Sequence, residues 1–479
     1  MWHEQIQPKY ISKTKRSLIW LTDALLTRQG SAAYLPIIIV TICMFCGASW
    51  LIFWPTSDAA HYQCYALTFW LGSSEANKLL PATQCGFLPP LIHTTAAQAA
   101  FHILPVEYPP LTLIPFSLAL LAPLPYYQLA FALLMSLTAV LIYWLLLHYG
   151  PRGSTLVFAF YLFTGALATA QGRFDLLPAF CTLLCVIAAE RKHWTAAYIA
   201  LAFGVLFKLY PLLLLPALFI AEQRARKLFY TPPAFSSLSS VPQQLWYTLR
   251  GVRQWYWKNC FLSLAIILSV TAFFAFFNLQ GAIISQFSYF IGRPVQIEAT
   301  GSTFLWLAQM IGIPFQIKPS FGSINIISEL GGLVSSISTL FFIVGCIYIT
   351  WLQWLRKLDI TQTAIALLLI FVVTGKVFSP QYLIWLIPLL AYAGAFDTFW
   401  LLVWGLISLL TSLIYIYFYT LHYSEPSLIP YTPGFFEAVS LRNALLVLAT
   451  LAYIFNWFQA RQRKSAPVRL KPKDTIKSV

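Results

Sequence analysis

Apolar stretches of up to about twenty residues, separated by short polar or basic joints, run from residue 34 to residue 459. As helices, stretches of that length match the hydrocarbon thickness of a bilayer. They predict twelve membrane-spanning helices, over 34–53, 126–148, 155–170, 174–189, 194–207, 210–221, 259–279, 331–354, 361–375, 381–394, 396–419 and 439–459. The predicted fold class is an all-α polytopic membrane protein. Its parts are a basic N-terminal arm over 1–33, one transmembrane domain over 34–460 and a basic tail over 461–479. Within that domain lie a first outer loop over 54–125, a cytoplasmic loop over 222–258 and an outer loop over 280–330. None of these is long enough for a separate nucleotide-sugar-binding domain. The first apolar run is too long for a signal peptide and reads as a retained signal anchor.

Composition agrees with this pattern. The chain of 479 residues is 59% hydrophobic and only 9% charged, where a soluble domain carries roughly 25%. Aromatic residues reach 17% and gather at the ends of runs, as interfacial belts do.

Charge sets the expected orientation. With the N-terminus in the cytoplasm, Arg191-Lys192, Arg224 to Lys227, Arg250 to Lys258, Arg356-Lys357 and Arg461 to Lys464 all fall on the cytoplasmic side, as the positive-inside rule requires. Lys78, Arg173, Lys208, Arg293, Lys318, Lys376 and Arg442 fall outside, about seven of the 30 Lys and Arg. The net charge of +15 therefore reflects membrane orientation and not nucleic-acid binding. Both termini are expected in the cytoplasm, with the basic tail near anionic lipid. The stretch Tyr108 to Pro125 is apolar enough to span, but a span there would invert every later loop. Its prolines at 109, 110, 115 and 123 also break a straight helix. A juxtamembrane or re-entrant helix on the outer side is expected.

On this topology the rare ionisable residues converge on the outer face. Asp58, His61 and Tyr62 follow the first span; Glu107 and Tyr108 end the first outer loop. Arg173 and Asp175 lie in the joint Gln171-Gly172-Arg173-Phe174-Asp175, and Lys208 and Tyr210 in Phe207-Lys208-Leu209-Tyr210-Pro211. Arg293, Gln296 and Glu298 sit in the 280–330 loop; Lys376, Gln381 and Tyr382 cap another hairpin. Charges at the edge of hydrocarbon are costly unless paired or wet, so they mark a candidate site. Each also has a plain alternative. Asp58 can be a helix-terminal carboxylate, Lys208 and Lys376 can snorkel, and Arg293 with Glu298, or Arg173 with Asp175, can form surface pairs.

Together these residue types suit one chemistry. Lys208, Arg293 and Lys376 can hold a phosphate leaving group. The Asp58 carboxylate can take a proton from an attacking hydroxyl. His61, Tyr62, Glu107, Tyr108, Arg173, Asp175, Tyr210, Gln296, Glu298, Gln381 and Tyr382 can line a substrate site. One catalytic carboxylate and a phosphate leaving group favour a single displacement with inversion. No metal-ligand spacing appears, no cofactor is required, and activity is expected to survive chelation, although Asp58, Asp175 and Glu298 are possible cation ligands. Cys64 and Cys85 share the outer loop and can pair in an oxidising compartment. Cys43, Cys46, Cys181, Cys185, Cys260 and Cys346 read as core residues.

The ordered pieces Asp58-Ala59-Ala60-His61-Tyr62, Tyr108-Pro109-Pro110-Leu111, Gly172-Arg173-Phe174-Asp175, Lys208-Leu209-Tyr210-Pro211, Arg293 to Glu298 and Ser379-Pro380-Gln381-Tyr382-Leu383-Ile384-Trp385 resemble the glycosyltransferase-C superfamily. The chain looks most like its polyprenol-phosphate-mannose-dependent α-mannosyltransferases, which include the phosphatidylinositol mannoside mannosyltransferase. The resemblance covers residues 58 to 385 and implies Asp58 as catalytic base. It also implies a polyprenyl-phosphate sugar as donor, a glycolipid or glycan acceptor outside the cytoplasm, and mannose as the sugar. The Arg-Phe-Asp of the second joint departs from the family pattern and leaves the role of Asp175 open. Two readings compete with an enzyme: a transporter or flippase of a lipid-linked or anionic solute, and a scaffold subunit. Internal repeats and mid-membrane charges would mark a transporter, and neither is evident.

Overall fold

The computed structural model describes residues 31–54, 57–81, 83–87, 102–228, 246–247, 249–394, 397–422 and 425–455. The basic arm up to residue 30, residues 229–245 and the tail from 456 lie outside the described residues.

Every expected span is a helix within a few residues of its expected ends. In chain order the first helices are α1 (Leu35–Ile52), α2 (Asp58–Leu71), α3 (Ser73–Leu79), α4 (Leu113–Leu118), α5 (Tyr127–Tyr149), α6 (Ser154–Ala166), α7 (Leu176–Glu190), α8 (Trp194–Phe207) and α9 (Leu214–Ala225). After the 226–257 segment come α10 (Lys258–Phe277), α11 (Ser285–Gly292), α12 (Thr300–Met310), α13 (Gly331–Trp354), α14 (Ile360–Thr374), α15 (Tyr382–Ala393), α16 (Thr398–Leu413) and α17 (Phe435–Ile454).

Length divides them into two kinds. Six stretches are long and apolar enough to cross a membrane: Ala32–Ser49, Leu124–Tyr149, Lys258–Phe277, Gly331–Trp354, Thr398–Leu421 and Phe435–Ile454. The other expected spans are α6, α7, α8, α9, α14 and α15, of 12 to 15 residues. At 1.5 Å per residue they rise about 18–23 Å, short of the roughly 30 Å of hydrocarbon. The short helices are largely interior: α7, α14 and α15 bury most of their side chains. A helix walled by protein need not reach both lipid surfaces, so its charged joint is drawn inward. Arg173, Asp175, Lys208 and Lys376 all lie on such joints. By contrast, α10 and α13 are peripheral, with few buried residues.

The stretch 108–125 is a broken helix, as its prolines require. A 3-10 turn over Pro110–Thr112, α4 and a second 3-10 turn over Ala119–Leu121 follow one another. It packs on α2 through Phe116, which stacks on Tyr62 with ring centroids 4.2 Å apart.

The 280–330 loop adds a small three-stranded antiparallel sheet to the helical fold. Strands β1 (Val295–Gln296), β2 (Phe315–Ser320) and β3 (Ser323–Ser328) take the order β1-β3-β2, with Val295 opposite Ile326 and Ile317 opposite the same residue. The hairpin turns at Phe321-Gly322, both with positive φ. Cys64 and Cys85 are joined by a disulfide that fastens α2 to the loop beyond α3.

The joints sort into two ends. Asp58, Arg173, Asp175, Lys208, Glu298 and Lys376 meet at one end. At the other, Arg191 lies over the Tyr149 ring at 4.2 Å, Arg224 donates to the Trp354 carbonyl, and Glu190 accepts from Thr361 and Tyr392.

Candidate active site

Asp58 is the first residue of α2. Ser57 caps that helix: its Oγ accepts from Ala60 N at 3.2 Å and donates to Gln128 Oε1 at 2.8 Å. The carboxylate therefore sits where a helix N-terminus favours negative charge. Arg173 Nη2 lies 2.6 Å from Asp58 Oδ2, and the Asp58 side chain is about one-third exposed. Asp58 Oδ1 accepts no hydrogen bond from the described residues. Arg173 also meets the Tyr415 hydroxyl. Burial works against the guanidinium charge, yet Asp58 and the surrounding tyrosines outweigh it and raise the Arg173 pKa. One turn further, His61 packs on Phe87 at 4.3 Å. Burial lowers its pKa, with Asp58 opposing and Arg173 adding to the lowering.

A second pair lies beside the first. Lys208 Nζ is 2.5 Å from Asp175 Oδ1, and Trp385 Nε1 donates to the same oxygen at 2.5 Å. Lys208 stands among the rings of Phe174 and Trp385, each 5.0 Å away, with Tyr108 at 5.7 Å and Tyr382 at 5.9 Å. Tyr210 and Tyr382 stack on Trp385 at 4.2 and 4.0 Å. Burial lowers the Lys208 pKa, with Asp175 opposing. The ion pairs are crossed relative to sequence order: Arg173 and Asp175 do not pair with each other.

The end of the first outer loop is clamped. Tyr65 OH donates to Glu107 Oε2 at 2.8 Å, and burial raises the Glu107 pKa. Gln286 Nε2 donates to three carbonyls of the same turn, Pro105, Val106 and Tyr108, at 2.9, 3.1 and 2.6 Å.

Arg293 and Lys376 form a third group. Arg293 lies over the Tyr289 ring at 5.3 Å, and its Nε has no hydrogen-bond partner among the described residues. Its charge reaches Glu107 and Tyr382. Lys376 Nζ approaches the Ile291 carbonyl at 3.5 Å, and the Lys376 carbonyl accepts from Gln296 N at 2.9 Å. A Cβ at Gly375 would come within 2.9 Å of the Phe371 carbonyl at the end of α14. Neither cation has a carboxylate partner among the described residues. Gln296 and Gln381 each keep an unpartnered amide oxygen.

Glu298 is fully buried. Its Oε1 accepts from Tyr419 OH at 2.7 Å, Arg442 Nη2 is 3.7 Å from Oε2, and Arg442 and Asn443 donate to its carbonyl at 2.9 and 3.3 Å. Burial raises the Glu298 pKa, with Arg442 opposing.

The sequence-predicted residues thus gather at one end, but in different states. Asp58, Arg173, Arg293 and Lys376 present charge at or near a surface. Lys208 is paired with Asp175 inside the aromatic cage. Tyr62, Asp175, Tyr210, Gln296 and Glu298 are buried, at 1%, 1%, 3%, 4% and 0% exposure. Asp58, Asp175 and Glu298 each face a cation and do not converge. Sequence reading missed Tyr65, Gln286, Tyr415, Tyr419, Arg442 and Asn443 as parts of the site, and named Trp385 only within a motif. Arg442 alone carried a signal, as a lone cation inside an apolar run.

No family model and no curated protein matches the chain. Among solved structures it is similar to ArnT from Cupriavidus metallidurans bound to undecaprenyl phosphate. That similarity has a TM-score of 0.41 and 11% identity, and covers 87% of this chain and 78% of that one. The apo state of the same protein gives a TM-score of 0.39 and 12% identity over 88% and 76%. At this distance the likeness carries no conclusion about the chain.

Proposed function

We propose that the protein is an inverting membrane glycosyltransferase. It moves a hexose, mannose by the motif resemblance, from a polyprenyl phosphate to a glycolipid or glycan acceptor on the extracytoplasmic side. The observation that carries this reading is Asp58: a carboxylate about one-third exposed, at a helix N-terminus and held by Arg173 through one oxygen, at the same end of the fold as Arg293.

The acceptor hydroxyl oxygen attacks the anomeric carbon as the bond from that carbon to the phosphate oxygen breaks. The proton passes to Asp58 Oδ1, and the electron pair leaves with the phosphate. Asp58 takes the proton late, as the bond to phosphate breaks. Arg293 and Lys376 stabilise the growing phosphate charge, which removes the need for a general acid. Asp175 holds Lys208 in place, with Trp385 donating to the same carboxylate oxygen. Two observations support the orientation. The cationic joints concentrate at the opposite end of the bundle, and the Cys64–Cys85 disulfide suits an oxidising compartment.

The test is incubation of purified protein with radiolabelled polyprenyl-phosphate mannose and a membrane lipid extract, with product analysis. A mannosylated product supports the reading. Solute or lipid movement across vesicles with no chemical product would replace it with transport.

A further inference from the structure

The Lys376 joint touches the segment that carries Arg293 at two points. Lys376 Nζ is 3.5 Å from the Ile291 carbonyl, and the Lys376 carbonyl accepts from Gln296 N at 2.9 Å. Arg293 falls between those two points along the chain, so both cations belong to one crossing of backbone. Two residues further along each strand, at Glu298 and Phe378, the crossing meets α17.

Arg442 of α17 contacts both strands from inside the fold. Its Nη2 donates to the Glu298 carbonyl at 2.9 Å, and its guanidinium carbon lies over the Phe378 ring at 3.9 Å. Arg442 is 0% exposed and Phe378 1%. The arginine is itself held: Nε donates to Asn443 Oδ1 at 2.9 Å, and Nη1 reaches Thr411 Oγ1 of α16 at 3.5 Å. Asn443 reinforces the same strand, with Nδ2 donating to the Glu298 and Ala299 carbonyls at 3.3 and 3.2 Å.

Charge balance alone does not ask for this geometry. Glu298 Oε2 is 3.7 Å from Arg442 Nη2, beyond hydrogen-bond length, and Glu298 Oε1 is taken by Tyr419 OH. The short contact of the guanidinium is with backbone. A planar guanidinium can donate from its edge while a ring lies against its face. A lysine would keep the charge opposite Glu298 and lose that double contact.

We infer that Arg442 is a positioning residue for phosphate recognition: it pins the Glu298 carbonyl and the Phe378 ring together and so sets Arg293 and Lys376 relative to each other. It acts through those two cations and touches no substrate. The inference rests on the proposed reading that they meet the donor phosphate.

Binding of labelled polyprenyl phosphate to the purified protein tests it through a double-mutant cycle. Arg442→Lys is expected to weaken binding about fivefold, the scale of one hydrogen bond. Phe378→Leu removes the other contact and is expected to act in the same direction, so the test stands even where Arg442→Lys does not fold. In an Arg293→Ala background either change is expected to cost about twofold or less, because one of the cations it places is gone. A merely structural arginine would lower the thermal midpoint and the folded fraction and leave the affinity of the folded chain as it was. That result, or an undiminished loss in the Arg293→Ala background, overturns the inference. The expected coupling in a chain that transfers no sugar would sink the glycosyltransferase reading and leave the positioning role standing. Sugar transfer with a polyprenyl-phosphate affinity indifferent to both changes would do the reverse.

Discussion

Lys208 and Asp175 form a closed pair 2.5 Å apart, with the Asp175 side chain 2% exposed and that of Lys208 15%. Breaking one partner leaves a buried charge unmatched, at a cost of about 3–5 kcal/mol. Asp175→Asn and Lys208→Met should each lower stability strongly. The double variant should recover most of the loss, because no charge is left behind. Denaturation of the purified variants in detergent measures this, and additive losses in the double variant would contradict the pairing.

The buried carboxylates set a pH dependence of stability. Burial raises the folded-state pKa of both Glu107 and Glu298 above 4.5. Between the unfolded and folded values the folded chain therefore binds more protons, and stability falls as pH rises. The contribution is complete below about pH 4.5 and lost above the folded pKa. Glu107→Gln and Glu298→Gln should each flatten the fall of the thermal midpoint across that window. A steeper fall in either variant would contradict the assignment.

The disulfide between Cys64 and Cys85 closes a loop with a sequence separation of 21. It ties α2, and with it Asp58, to the loop whose Phe87 covers His61. Reduction should remove about 3 kcal/mol of stability and lower the thermal midpoint. Cys64→Ser with Cys85→Ser should start from the lowered midpoint and not respond to reductant.

Arg293 and Lys376 have no carboxylate partner among the described residues. Arg293→Ala should weaken polyprenyl-phosphate binding about tenfold or more, from the roughly 1.5–3 kcal/mol of a charged hydrogen bond. Lys376→Ala should act in the same direction. Binding of labelled polyprenyl phosphate to the purified variants checks both, and unchanged affinity would move the phosphate elsewhere.

Much of the architecture was legible because hydrophobic runs report helices directly. All expected spans appear, and the prolines from 109 to 123 break their segment as read. Span length was less legible. Apolar composition cannot separate a helix facing lipid from one walled by protein, so the interior position of α7 and α14 was hidden. The 280–330 loop was hidden too, since β1 has only two residues and its partners lie about thirty residues on. The convergence of Asp58, Arg173, Lys208 and Arg293 followed from alternating the joints across the membrane. The crossed pairing did not, because it depends on how α6, α7 and α8 pack. Arg442 was visible as a charge in an apolar run, but its partner Glu298 is 144 positions away.

The most direct measurement is sugar transfer by Asp58→Asn, made alongside donor binding by the same preparation. Asparagine keeps the size of the side chain and can still meet Arg173 through its amide oxygen, but cannot take the acceptor proton. The account predicts transfer reduced by at least a hundredfold, with affinity for polyprenyl-phosphate mannose within a few-fold of the unaltered chain. Undiminished transfer by Asp58→Asn would contradict it.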